Sequence, residues 1–204
     1  MTMKKLYQNI ENIYIIGGVG LLTELVQEMD RSLQNVADST DRLTGYLLRF
    51  SGSNSGHRYE NIVKTTVKFR DELFDDAQAL NDILNQIVQY QNKIYRYEGM
   101  AAYAPPANPF LAQKRLISID TSQVQFHRTD MLQLVASLKN YISSISHHMN
   151  TINEKRNSAG QIWRDSQYRV FSEFVDEVLQ SVRTVMKDYE LYIQEIEEKI
   201  KEMD

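Results

Sequence analysis

The spacing of its apolar residues constrains this chain more than any other feature. Leu22, Val26, Met29, Leu33, Val36, Thr40, Leu43, Leu47 and Phe50 advance in steps of 4, 3, 4, 3, 4, 3, 4, 3. Tyr59, Ile62, Thr66, Phe69, Leu73, Ala77, Leu80, Leu84, Ile87, Gln91 and Ile94 keep nearly the same rule. A third stretch runs Val124, Arg128, Met131, Val135, Leu138, Ile142, Ile145, Met149, Ile152, and a fourth runs Phe171, Val175, Val178, Val182, Val185, Tyr189, Tyr192, Ile196, Ile200, Met203. Steps of three and four sustained over four heptads or more are the mark of a coiled-coil seam. Each stretch predicts a helix of about 30 to 40 residues, roughly 45 to 60 Å long.

Breaks in the pattern set the layout. Ser51–Gly56 (SGSNSG) reads as a polar turn, Asn157–Gly160 as a softer one, and the prolines Pro105, Pro106 and Pro109 cluster in a longer interruption. Only 8 glycines and 3 prolines occur in 204 residues, so the chain has few other places to turn. Short turns make neighbouring helices antiparallel. Residues 1–98 then hold an N-terminal segment and a first hairpin, 99–120 a proline-containing loop, and 121–204 a second hairpin. Apolar residues beside the seams, such as Leu25, Val63, Phe74, Leu132, Leu179 and Ile193, widen each stripe beyond what one neighbour covers. The expected fold is all-α, an elongated antiparallel four-helix bundle of two long coiled-coil-like hairpins packed as one domain. The alternative is two hairpins that find their second neighbour in another chain, a homo-oligomer. A short match between Lys68–Phe74 (KFRDELF) and Glu173–Leu179 (EFVDEVL) raises the reading of a diverged repeat.

Charge and site chemistry narrow function. With 23 Lys and Arg against 27 Asp and Glu, the net charge is −4, which lacks the electrostatic footprint of a nucleic-acid binder. The residues from Pro105 to Gly160 carry 6 basic and 3 acidic side chains, and those from Gln161 to Asp204 carry 6 and 11. Helices from those two segments should therefore attract one another weakly. There is no cysteine, so neither a disulfide nor a thiolate site exists. The apolar run Ile13–Leu22 follows Lys4 and Lys5 in the outline of a secretory signal. However, Glu11 intervenes, no small-residue cleavage pattern follows, and the run is too short to span a bilayer. A packed N-terminal segment, bent at Gly17, Gly18 and Gly20, is expected, in a protein that is cytoplasmic or exported without a cleaved signal.

No Glu-x-x-His pair precedes any of the 4 histidines, which argues against a di-iron bundle. His147 and His148 point about 100° apart on a helix and lack a ligand four residues away, so no metal is expected. The carboxylates Asp71, Glu72, Asp75 and Asp76 read as a solvated face with Lys68 four residues before Glu72, rather than as an acid and base pair. No cofactor and no catalytic residue are expected. The aromatic residues are more informative. Tyr90, Tyr95, Tyr97, Tyr103 and Phe110 crowd the end of the second helix and the following loop, and tyrosine suits interfaces because it combines large area with a polar tip. Tyr95, Tyr97, Tyr103 and Phe110 are therefore the candidate partner-binding residues, the competing reading being rings that cap the open end of the bundle.

At the third turn the sequence reads Ile162-Trp163-Arg164-Asp165-Ser166, followed by Tyr168, Phe171 and Phe174. The only tryptophan stands at a helix entry just after a helix and a turn. This arrangement resembles the WXG family, small helical hairpins exported by type VII secretion systems and often found as dimers, in which a Trp-x-Gly turn joins two long helices. The resemblance covers roughly Ser122–Asp204, about 40% of the 204 residues. Trp163 matches the family tryptophan, whereas Asp165 stands where glycine belongs. The family's export tail, a tyrosine with an acidic residue four later, is not matched, since Ile193 follows Tyr189 and Ile196 follows Tyr192. Read locally, Asp165 or Ser166 serves as an N-terminal cap, and Trp163 plugs the hairpin end with Phe171 behind it. The functional expectation is a non-catalytic helical interaction or structural protein of a bacterial multiprotein assembly, WXG-like and secretion-associated. The alternative is an intracellular adaptor or regulatory subunit docking through the tyrosine-rich loop, and less favoured still is an enzyme with a site in the bundle core.

Overall fold

The computed structural model describes residues 20–104, 109–110, 117–125 and 127–202. These form four helices, α1 (Gly20–Ser53), α2 (His57–Tyr97), α3 (Arg128–Ala159) and α4 (Ser166–Lys201). The all-α bundle expected from the heptads is the fold. Every seam position of α1 is buried, and so is every seam position of α2 except Phe69, which is half-buried. Most of the N-terminal apolar run, two of the prolines (Pro105 and Pro106) and Met203 lie outside the described residues.

In α3 the seam begins later than its spacing implies. The helix starts at Arg128, so Val124, 85% exposed, precedes it and Arg128 itself faces out. From Met131 to Ile152 the expected positions are buried. Among the apolar flanks, Leu25, Val63, Leu179 and Ile193 are buried, but Leu132 is exposed.

The helices meet in the cyclic order α1, α2, α4, α3, and α1 packs most extensively on α3, not on its hairpin partner. The diagonal pairs α1 with α4 and α2 with α3 make no comparable contact among the described residues. Contacts fix the directions. Glu24 meets Lys155, Ser39 meets Ser144, and Tyr46 meets Asp130, so α1 and α3 run antiparallel. Likewise Tyr90 meets Trp163 and Asp165, while Ile62 meets Tyr192, so α2 and α4 are antiparallel.

This arrangement needs the connection between α2 and α3 to return along the length of the bundle. Its described parts do so against α2. The Asn92 side chain holds the Tyr103 backbone at both polar ends, accepting from the amide at 2.6 Å and donating to the carbonyl at 2.9 Å. Phe110 packs edge-on against Phe74 at 5.2 Å between ring centres. Further on, the Gly56 amide donates to the Asp120 carbonyl at 2.7 Å, and Ser55 pairs with Gln125 in a single antiparallel bridge. Gly56 has φ 112°, a left-handed conformation that only glycine adopts without strain, which lets the turn face the returning chain. At the same end Ser53 and Asn54 both donate to the carboxylate of Asp130 in the first turn of α3.

The core holds charge as well as hydrocarbon. Arg70, 2% exposed, donates from Nε and Nη2 to Asp71 and from Nη1 to Thr44. Arg156, also buried, bridges from α3 to Asp176 of α4 and to the Ser172 carbonyl. Lys139 reaches Glu197 at 2.6 Å, so basic α3 and acidic α4 are joined at two places, as their opposite charge predicts.

Candidate functional site

The turn between α3 and α4 carries a network of side chains from three helices. α4 begins at Ser166 because Asp165 caps it: Oδ1 accepts from the Gln167 and Tyr168 amides at 2.9 and 3.2 Å, satisfying two donors that a helix start leaves unpaired. The same oxygen accepts from Trp163 Nε1 at 2.8 Å, and Oδ2 accepts from the Tyr90 hydroxyl of α2. One carboxylate thus ties the turn, the fourth helix and the second helix together. Its backbone is extended, with φ −86°, so the geometry of this position does not call for glycine.

Trp163 is fully buried. Its indole stacks on Tyr90 at 4.9 Å and on Phe171 at 5.6 Å, with Tyr168 meeting it edge-on at 5.6 Å. The candidate turn residues Trp163, Asp165 and Phe171 are therefore brought into one cluster, together with Tyr90, which the sequence had grouped with the loop tyrosines. Burial and the adjacent Asp165 carboxylate push the Tyr90 phenol well above its usual pKa, so it remains a donor. Gly160 completes the turn. A Cβ there would lie 2.2 Å from the Tyr168 hydroxyl, which donates to the Arg156 carbonyl at 3.2 Å. The packed Tyr168 ring leaves no room for a side chain at Gly160, a requirement visible in sequence only as a glycine in the soft break.

The four residues marked for partner contact part company. Tyr95 is buried, its hydroxyl 2.7 Å from Thr23 Oγ1 and accepting from Gln91 Nε2, so it staples the end of α2 to the start of α1. Phe110 is buried against Phe74, and Tyr103 is half-buried under its clamp with Asn92. Of the four, Tyr97 alone is open, 83% exposed, with Met100 three residues further on at 47%. The rings do not form one exposed patch, because three of them fasten the returning connection and the helix ends to the bundle.

The remaining polar candidates separate as well. Asp71 is taken by Arg70, and Glu72 pairs with Lys68 at 3.8 Å. Asp76 is half-buried, its carboxyl pKa raised by desolvation with help from Asp75 and Glu72, and one of its oxygens has no hydrogen-bond partner among the described residues. His147 and His148 sit well inside α3, their rings 5.0 Å apart. Desolvation and then His147 lower the His148 pKa. Among the described residues no group of three His, Asp or Glu is placed to hold a metal ion, and no helix is long and apolar enough to cross a membrane.

Comparison with protein-family models, with curated proteins and with solved structures finds no match for this chain.

Proposed function

We propose that this protein is a non-catalytic helical interaction or structural component of a bacterial multiprotein assembly, WXG-like in its C-terminal half and associated with secretion. The observation that carries the reading is the turn at Trp163, where a lone buried tryptophan closes the hairpin of α3 and α4. The polar groups around it support the same reading, since Asp165, Tyr90 and Tyr168 are engaged in holding the turn. The test is export: the full-length, uncleaved protein is expected in the culture supernatant of its native host and absent from it when the secretion machinery is disabled. Retention in the cells under both conditions refutes the secretion-associated part. Light scattering on the intact protein separately measures whether it self-associates.

Exposure of Tyr97 favours a second reading, an intracellular adaptor that docks through the end of α2. Here Tyr97→Ala is expected to abolish recovery of a specific partner in a pull-down, with Tyr103→Ala as the comparison. Full recovery with Tyr97→Ala removes this reading.

A further inference from the structure

At the end of the bundle where α2 begins and α4 finishes, the two helices enclose a pocket of about 180 Å³. Its floor is apolar: Ile62, Ile196 and Ile200 are each buried, and Met131 of α3 closes the back. Its mouth is polar and cationic. Arg58 and Lys199 stand at the mouth, both exposed, and neither makes an ion pair among the described residues. No acidic side chain lines the pocket, although it opens beside the most acidic helix of the chain. Tyr192 and Thr65 supply hydroxyls between floor and mouth.

An apolar floor and a mouth lined by two cations and no carboxylate select a ligand that is greasy at one end and anionic at the other. The volume sets the size. An engineered cavity of about 150 Å³ lined by Leu, Ile and Phe holds benzene, so this one holds an aromatic ring or a short aliphatic chain and little more. We propose that this pocket binds a small organic carboxylate, with its apolar body between Ile62 and Ile196 and its carboxylate between Arg58 and Lys199.

The probe is 3-phenylpropionate, titrated into the intact protein by calorimetry and followed by ligand-observed NMR, with the uncharged 3-phenylpropan-1-ol as the matched comparison. Saturable binding of one carboxylate per chain is expected, with the alcohol about tenfold weaker or worse. The double variant Arg58→Gln, Lys199→Gln should weaken carboxylate binding about tenfold and leave the alcohol unchanged. Both positions are on the surface, so circular dichroism should show an intact fold. Ile196→Trp, which fills the pocket, should remove binding of both compounds. Equal affinity for acid and alcohol, or an unaltered titration in the double variant, overturns the proposal. So does binding confined to a peptide ending in phenylalanine with none of the free acid.

Discussion

Between α1 and α3 hydroxyls meet across the seam: those of Ser39 and Ser144 stand 2.7 Å apart, and that of Thr40 meets the Tyr141 hydroxyl at 3.2 Å. Between α2 and α4 rings meet, with Phe69 against Tyr189 at 4.8 Å and Tyr192 at 5.9 Å, and Tyr90 stacked on Trp163. The two seams follow the same three-and-four spacing, yet one brings its helices together through hydroxyls and the other holds them apart on aromatic spacers. Heptad spacing decides which residues face inward, and residue size decides how near the backbones come.

The comparison can be broken from the aromatic side first. Trp163→Ala removes the stack that anchors that seam and is expected to cost about 3–5 kcal/mol in denaturant unfolding, the largest effect of any single truncation here. Alkaline pH comes next and attacks both seams together. Burial pushes Tyr141 and Tyr192 up to about 12, so these phenols stay protonated in the fold while the unfolded chain releases its protons near pH 10. Stability should hold below pH 10 and fall as pH rises towards 12, by about 1.4 kcal/mol per pH unit for a buried tyrosine such as Tyr141. A flat denaturation midpoint between pH 10 and pH 12 contradicts this.

Asp165→Ala should cost about 2 kcal/mol, because it removes a cap and strands the Trp163 and Tyr90 donors. On the close-packed side, Ser39→Leu is expected to lose about 1–2 kcal/mol by forcing α1 and α3 apart, whereas Phe69→Leu, which thins the spacer, should lose about 1 kcal/mol. If the two changes cost the same and leave interhelix distances unaltered by spin-label measurement, the contrast between the seams is false. The smallest change runs the other way. Asp76→Asn should raise the melting temperature slightly at pH 7, since the ionised carboxyl is disfavoured by burial, and this gain should vanish at acid pH where Asp76 is itself protonated.

The helices and their inward faces were legible because apolar periodicity is a local property. From Leu22 to Phe50 every seam residue is buried, and the cap of α4, narrowed by the sequence to Asp165 or Ser166, is Asp165. What escaped depends on partners distant in sequence. Nothing in the neighbourhood of Arg70 marks it for burial, since Thr44 lies 26 residues away. Tyr95 and Phe110 read as well for partner contacts as for caps of the bundle end, because aromatic residues at a helix end or in a loop carry no record of what they face. The preference of α1 for α3 was equally hidden, because a turn dictates only which helix comes next.

That preference has a consequence for how the chain is made. Ser39 and Ser144 are separated by 105 residues, so α1 is synthesised long before the surface it fits best. At about 5–20 residues per second the wait is roughly 5–20 s. During that interval α2 is the described helix available to cover its buried stripe. A ribosome that pauses before α3 leaves a sticky half-product, which makes this the stage at which a chaperone, or a premature stop, has its greatest effect.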